Sequence, residues 1–391
     1  MTTTNLKDIL NKAEQEVPLN HEDIMRLLSI SSPFEYKQVA LQAQKLRQRY
    51  FQNKIFLYGF IYFSTHCHND CTFCLYRKSN TSYPRYRKNA DEILETALAL
   101  ANSGVNLLDL TMGEDPYYLH SPQRIDHLVK LIEQIKSETK AAIMISPGVI
   151  EDELLGRFKE AGVDWYACYQ ETHNPELFKQ LRVGQSYQLR MQQKMAAKNM
   201  GYLIEEGMLV GLGESKEDIA DSILLMREME ADQVRVMTFV PQNNTPLEHW
   251  PVNSRFREML IISIMRLVMP DRLIPDSLDV DGLKGLAQRL EAGANVITSI
   301  IPPTSGLAGV SQSTLDISEG NRTVEKILPV LKAYQCEPAT NLDYQAWMSS
   351  RLTKMLGGRK GFYAGSHRGR KIARGRSYIS GQESRVGSYP L

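Results

Sequence analysis

Three cysteines lie within eight positions of this chain, at Cys67, Cys71 and Cys74, and this clustering predicts a metal site. The chain has five cysteines, and its first residues show no basic segment followed by an apolar one, so neither a disulfide framework nor a secretory signal is expected. Zinc would need a fourth ligand beside the three thiolates. The residues available for that role are His66, His68, Cys168 and Cys336. A [4Fe–4S] cluster benefits instead from a missing fourth ligand, because one iron then stays open to another molecule. The spacing favours the cluster and leaves zinc open.

The segments that must position these cysteines follow a regular pattern, in which short apolar runs alternate with longer amphipathic stretches. The runs are 55–64, 105–112, 141–146, 163–170, 202–211, 233–240, 272–280 and 294–300. Strands that alternate with helices form a parallel sheet, and eight strands can close into a barrel. The fold class predicted is therefore an α/β (β/α)8 TIM barrel. Its active-site loops follow the strands, which is where the cysteines stand after the first run.

Composition and charge divide the 391 residues into a core and a tail. Hydrophobic residues make up 42% and charged residues 23%, as in a soluble globular protein. The tail 357–391 has eight basic residues and one acid, net +7, while the other residues have 38 basic and 44 acidic residues, net −6. The domains predicted are N-terminal helices over 1–54, the barrel with C-terminal helices over 55–356, and a disordered Gly/Arg-rich tail over 357–391.

The cysteine string, Cys67-His-Asn-Asp-Cys71-Thr-Phe73-Cys74, resembles the signature of the radical S-adenosylmethionine (SAM) family. That family has CX3CX2C with an aromatic residue before the last cysteine. The resemblance implies a [4Fe–4S] cluster on Cys67, Cys71 and Cys74, whose open iron binds SAM. Reductive cleavage of SAM then yields a 5′-deoxyadenosyl radical that removes hydrogen from a substrate. Phe73 matches the position that lies against the adenine.

Other segments carry matching pieces in the same order, each near the carboxyl end of a predicted strand. Met112-Gly113-Glu114 stands where the family has a Gly-Gly-Glu segment, and Gly207 to Glu214 resembles its GXIXGXXE segment with Leu209 in place of Ile. The resemblance implies that SAM contacts a set of residues along these segments. They are Phe73, Gly113, Glu114, Ser146, Glu171, Arg190, Gly207 and Gly211. The guanidinium fork of Arg190 suits the carboxylate of SAM.

Charged residues on the predicted strands indicate what the barrel holds beneath SAM. Arg235 alternates with valines, so it points inward if the valines face the helices. Ser277 and Asp279 are two apart and are expected on one face of strand seven, and Asp109 interrupts an apolar strand. These groups would suit an amino acid with two amino groups. Arg235 and Ser277 would bind the carboxylate, Asp109 and Asp279 the ammonium groups, with Asp115 competing with Asp109. Arg235 and Asp279 together would suit a zwitterionic amino acid, and the alternative is an internal ion pair between Arg235 and an aspartate that only stiffens the barrel.

Residues 20 to 355 also resemble the methylornithine synthases, a family related to biotin synthase and to hydrogenase maturases. This resemblance implies a lysine mutase, in which L-lysine loses hydrogen, fragments and recombines to 3-methylornithine, the first step of pyrrolysine biosynthesis. A maturase-like enzyme acting on another small substrate is the alternative, and a non-catalytic zinc-binding barrel is a weaker one. Biotin synthase needs further cysteines in the barrel, whereas Cys168 and Cys336 are predicted to be structural.

The partners predicted are L-lysine and an electron donor such as a flavodoxin or ferredoxin. No apolar run reaches the length of a membrane span. A cytoplasmic monomer is expected, and nucleic-acid binding by the tail is not favoured.

Overall fold

The computed structural model describes residues 5–252, 254–302 and 322–363. Its first elements are the helices α1 (Leu6–Glu14), α2 (His21–Leu28) and α3 (Pro33–Phe51). Asn20 caps the start of α2 with a capping box. Its side chain accepts a hydrogen bond from the backbone amide of Asp23, and the Asp23 carboxylate accepts one from the backbone amide of Asn20. Helix α3 begins with a proline, whose missing N–H costs nothing in the first turn.

The eight predicted strands all form, and they lie side by side in a parallel barrel. They are β1 (Lys54–Ser64), β2 (Leu107–Met112), β3 (Ala142–Ser146), β4 (Trp165–Ala167), β5 (Leu203–Val210), β6 (Gln233–Thr238), β7 (Pro275–Ser277) and β8 (Val296–Ile300). Their order is β6-β5-β4-β3-β2-β1-β8-β7, and the amide of Val234 closes the gap by donating to the carbonyl oxygen of Leu273 at 2.9 Å. The (β/α)8 prediction is confirmed.

Helices follow the strands and cover the outside of the barrel. They are α4 (Ala90–Asn102), α5 (Pro116–Leu119), α6 (Pro122–Thr139), α7 (Asp152–Glu160), α8 (Pro175–Leu181), α9 (Tyr187–Asn199), α10 (Lys216–Glu228), α11 (Arg255–Val268), α12 (Leu278–Asp281), α13 (Leu283–Ala292), α14 (Val324–Ala333) and α15 (Asn341–Tyr363). The N-terminal helices pack on this layer, α2 against α10 and α3 against α11 and α13. None of the described helices is long and apolar enough to span a bilayer.

The amino end of the barrel is covered by the start of α15. Trp347 stacks on Trp165 of β4, with ring centroids 5.8 Å apart and planes within 6°. The hydroxyl of Tyr344 lies 2.9 Å from that of Tyr58, inside β1. A short strand, β9 (Glu337–Pro338), adds to β1 beside them. Because aromatic rings fill this end, the open side of the barrel is the carboxyl end of the strands.

The chain divides into a unit up to Arg351 and a second one from Leu352 onward. Helix α15 continues to Tyr363, past position 357 where the tail was predicted to begin. The rest of the predicted tail, 364–391, lies outside the described residues, as does 303–321 after β8.

Candidate active site

A cavity of about 1020 Å³, counted with the solvent space at its mouth, opens at the carboxyl ends of the strands. Its walls carry aromatic rings and a few charged groups. Among the lining residues are Tyr58, Phe60, Phe73, Asp109, Ser146, Tyr169, Glu171, Gly207, Arg235 and Asp279. The prediction that the lumen holds polar groups among apolar ones agrees with this lining.

The cysteine loop leaves β1 and lies at the mouth of this cavity. Cys71 is buried, and Cys67 and Cys74 are partly exposed. Burial, followed by the neighbouring thiols of Cys71 and Cys67, raises the pKa of Cys74 to about 12. The three thiols are therefore close enough to interact electrostatically, and thiolates gathered in this way need a cation to neutralise them.

The donor set fits a [4Fe–4S] cluster better than a single ion. Nowhere in 5–252, 254–302 and 322–363 do three His, Cys, Asp or Glu side chains converge closely enough to hold one metal ion. One zinc ion would require thiolates about 2.3 Å from a common centre, whereas each thiolate of a cluster binds a different iron. This arrangement gives no support to the zinc-binding alternative.

Two polar groups beside Cys71 were missed by the sequence analysis. The Gln185 amide donates to the Cys71 sulfur at 3.0 Å, and Nη1 of Arg182 lies 3.7 Å from the same sulfur. Arg182 also holds Glu171 through Nη2 at 2.9 Å, and its guanidinium lies 5.4 Å from the Phe73 ring centre. Hydrogen bonds to cluster sulfurs tune the reduction potential, so this pair belongs to the site. In the sequence both residues resemble ordinary loop polar residues, and no local signal marks them.

Gly113 lies directly against the cysteine loop. A Cβ built on Gly113 would meet the carbonyl oxygen of His66 at 2.2 Å and the Cβ of Cys67 at 2.8 Å. No other residue fits there without moving the loop. The next residue, Glu114, receives a hydrogen bond at 3.0 Å from Arg190 and lies 3.2 Å from His68.

Arg190 and Glu114, predicted separately to contact SAM, are thus paired with each other. Arg190 is buried, and its Nη2 donates to the carbonyl oxygen of Tyr169 at 3.0 Å, while Nε makes no hydrogen bond. Helix α9 starts at the N-cap Ser186 and carries Arg190 on the face turned to the barrel.

The segment around β5 supplies the opposite wall. Glu171 adopts a positive φ of 68°, and its amide and carbonyl bond to Gly207 and Leu209 of the neighbouring strand. Burial raises the pKa of its carboxyl group. Gly207 lines the cavity, whereas Gly211 is outside the lining and its amide donates to the Glu214 carboxylate at 2.8 Å. The structure gives Gly211 a role in the turn after β5.

Asp109 faces the cavity and Asp115 does not, which separates the two competitors. Asp109 accepts hydrogen bonds from the hydroxyls of Thr111 at 2.8 Å and Ser146 at 3.3 Å. Asp115 is fully buried, caps α5, and is held by Nε of Arg87 at 2.6 Å and by Ser64 at 2.6 Å. Its oxygens are committed to the fold.

Among the described residues, the ion-pair partner of Arg235 is a glutamate and not an aspartate. Nε of Arg235 donates to Glu205 of the adjacent strand at 2.7 Å, a partner that the sequence analysis did not consider. Asp279 is held instead by Arg322 at 2.7 Å and Ser299 at 2.6 Å. The partner of a strand residue depends on the register of the neighbouring strand, which the sequence pattern does not contain.

Ser277 and Asp279 do not share a strand face as predicted. Strand β7 ends at Ser277, which is the N-cap of α12 and accepts from the amide of Asp279. Ser277 is buried, and Asp279 reaches the cavity from the first turn of this helix. A serine two residues before an aspartate is a typical helix start, and that signal could have identified the turn.

Cys168 and Cys336 are buried and lie outside the cavity lining, which agrees with a structural role. Cys336 is 3.8 Å from the guanidinium of Arg47, far along the chain from the cysteine loop. The barrel thus offers one cluster of thiols among the described residues, at its mouth.

Comparison with known proteins agrees with this geometry. A family model described as the radical SAM superfamily matches residues 61–226. A 3-methylornithine synthase of Methanosarcina acetivorans is 42% identical over 345 residues, which cover 88% of this chain and 97% of that protein. The [FeFe] hydrogenase maturase subunit HydE of Thermotoga maritima is 30% identical over 294 residues, covering 74% of this chain and 82% of that protein. A solved structure described as methylornithine synthase (PylB) superposes with a TM-score of 0.83 at 41% identity, covering 87% of this chain and 99% of that one.

Proposed function

We propose, from the premise that this chain belongs to the radical SAM superfamily and to its group of methylornithine synthases, that it converts L-lysine to 3-methylornithine. The enzyme is a radical SAM isomerase that rearranges a carbon skeleton, in the first step of pyrrolysine biosynthesis. The identity of 42% across nearly the whole chain favours this function over the maturase-like alternative, whose relative is 30% identical over a shorter span.

When bound, the [4Fe–4S] cluster and SAM supply a carbon-centred radical that removes one hydrogen atom from the substrate. Cys67, Cys71 and Cys74 would hold the cluster, since Cys74 lines the cavity and the other two belong to the same loop, whereas Cys168 and Cys336 lie outside the lining. We assign the SAM contacts to the set predicted from the sequence. These are Phe73, Gly113, Glu114, Ser146, Glu171, Arg190, Gly207 and Gly211.

The observation that carries the choice of substrate is the charge of the cavity. Three acids face it, and the described residues pair two of them, Glu171 with Arg182 and Asp279 with Arg322. Asp109 makes no ion pair within the described chain and is bonded only through hydroxyls. Since Arg235 is balanced by Glu205, the described residues of the site leave one acid, Asp109, without an ion-pair partner. L-lysine, with two ammonium groups and one carboxylate, carries the matching net charge of +1.

The residues then take distinct tasks. The guanidinium of Arg235 would bind the substrate carboxylate, with Ser277 assisting, because a planar fork matches two carboxylate oxygens. Asp109 would bind one ammonium group. Asp279 would meet the other, although Arg322 already neutralises part of its charge. Rings of Tyr58 and Phe60 line the wall and would keep water from the reacting carbons.

The test uses the reconstituted holoenzyme under anaerobic conditions with L-lysine, SAM and a chemical reductant. We expect a product of the same mass as lysine whose fragmentation pattern is that of a methylated ornithine. The C71A variant is the control and should cleave no SAM. Release of 5′-deoxyadenosine with lysine recovered unchanged would reject the mutase and favour an enzyme for another small substrate.

The partners follow from this chemistry. The enzyme takes a small-molecule substrate and needs a reductant, for which we propose a flavodoxin or ferredoxin. A monomer located in the cytoplasm stays a prediction, as does the separation of the basic tail 357–391 from catalysis.

A further inference from the structure

Strand β5 contains two consecutive glutamates, Glu205 and Glu206, and both are fully buried. Successive strand residues point to opposite faces, so the two carboxylates have different surroundings. Glu206 faces the helices, where it pairs with Lys194 and accepts from the amides of Gln170 and Gly207. Its charge is satisfied by the fold. Glu205 faces the barrel interior, where a buried carboxylate is costly unless a cation compensates it.

The cation beside Glu205 is Arg235 of β6. Oε1 of Glu205 accepts from Nε of Arg235 at 2.7 Å, and the ring centre of Tyr169 lies 5.6 Å from the guanidinium. The strand register places Gly207 opposite Arg235, with Glu205 one step deeper in the barrel. Gly207 brings no side chain into this space, and a Cβ there would lie 3.1 Å from that of Arg235. The arginine can therefore bend toward Glu205.

The contact uses only one edge of the guanidinium. An arginine and a carboxylate that serve only stability commonly bind through two parallel hydrogen bonds. Here the pair is joined through Nε alone, and Oε2 of Glu205 accepts no hydrogen bond from Arg235, while the hydroxyl of Tyr169 is the other polar neighbour of this carboxylate. Among the described residues, the outer nitrogen Nη1 has two long contacts, 3.4 Å to the hydroxyl of Thr298 and 3.8 Å to the sulfur of Met237. The terminal edge of Arg235 thus remains turned to the cavity.

Glu205 itself lies behind the cavity wall. Arg235, Tyr169 and Gly207 line the cavity, while Glu205 is not part of the lining. It cannot touch a bound molecule, so any effect on substrate must act through Arg235.

We propose that Glu205 is the positioning residue for the substrate carboxylate. It fixes the Nε edge of Arg235 and thereby aims the terminal nitrogens at the carboxylate of the amino acid. It also neutralises the arginine while the site is empty, so the buried guanidinium does not bend toward Asp109. This inference rests on the proposed function, because it takes a carboxylate-bearing substrate as given.

The experiment compares two ligands on two proteins. Holoenzyme with SAM and no reductant is dialysed against L-lysine or against L-lysinamide, which lacks the carboxylate charge. We expect the unmodified enzyme to bind lysine about 10- to 100-fold more tightly than the amide, as charged hydrogen bonds imply. In E205Q, the affinity for lysine should fall by about tenfold or more, while the affinity for lysinamide should change less than about threefold. SAM affinity should stay the same.

The matched control is E206Q, a change at an equally buried glutamate on the other face of the same strand. It should lower the melting temperature yet keep the preference for lysine over lysinamide. E205D keeps the charge but is one methylene shorter, so its preference for lysine over lysinamide should be intermediate. This variant replaces E205Q in the test if E205Q does not fold. A preference that is unchanged in both Glu205 variants would overturn the positioning role and leave only a stiffening ion pair. An unmodified enzyme that does not prefer lysine would reject the proposed substrate itself, and the positioning role with it.

Discussion

Lysine binding should depend on the ionisation of Asp109, whose carboxyl group titrates near neutral pH. Burial, and then the charge of Glu205, raises its pKa to about 7, against the opposing effect of Thr111, Arg235 and Ser146. Only the ionised form can pair with an ammonium group. Binding is therefore favoured above pH 7 and is lost as the pH falls through this value.

The size of the effect follows from that pKa. A carboxyl group of pKa about 7 is about 9% ionised at pH 6 and about 91% ionised at pH 8. At saturating SAM, kcat/KM for lysine should rise about tenfold between these values. The ε-ammonium of lysine has a pKa of about 10.4 and stays charged throughout. D109N should remove the rise and weaken lysine binding by about 10- to 100-fold, the contribution of a charged hydrogen bond.

The assay is the initial rate of product formation at a series of lysine concentrations and pH values, with SAM affinity measured at each pH. A D109N variant that keeps the tenfold rise would show that another group titrates. A flat profile in the unmodified enzyme would refute the assignment of Asp109 as the ionised acceptor of an ammonium group.

Three further changes test the site and its frame. G113A places a new Cβ 2.2 Å from the carbonyl oxygen of His66, so the cysteine loop must move by about 1 Å. SAM cleavage should therefore fall about 100-fold, and the protein should bind less iron. In the control G156A, the new Cβ meets nothing within 4 Å, so SAM cleavage and iron content should be unchanged. Equal iron content in the two variants would contradict this. D115N removes a buried carboxylate that the fold uses and should lower the free energy of unfolding by about 1–3 kcal/mol at constant lysine affinity, which separates it from the Asp109 variant. Thermal unfolding and dialysis measure the two quantities. Deleting 364–391 should leave lysine turnover intact, and a large loss in the product assay would place those residues in the enzyme.

The sequence predicted those features that follow from local periodicity. Alternating apolar runs identified all eight strands, and the alternation of valines with Arg235 placed that side chain in the cavity. The position of the cysteines after β1 placed them at the mouth. These predictions hold because a parallel barrel exposes only the carboxyl ends of its strands to a ligand.

The sequence could not predict the partners of the charged residues. Arg182 and Gln185 reach Cys71 from the loop before α9, more than a hundred positions away in the chain. Arg322, which holds Asp279, comes after 294–300, the last of the eight apolar runs. Such contacts depend on how loops fold over the barrel, and a single sequence contains no direct signal for them.

The two glutamates of β5 show where sequence reasoning could have gone further. Two acids inside an apolar strand must face opposite sides, and one of them must therefore face the lumen. That step identifies a buried lumen acid from the strand pattern alone. It does not identify the partner of this acid, because the strand pattern does not show which residue of a neighbouring strand lies beside it. The register of β5 on β6 decides, since it sets Gly207 beside Arg235 and leaves Glu205 one step below. Glu205 is thereby placed to orient the arginine, and Asp109 remains the acid that a cationic substrate can use.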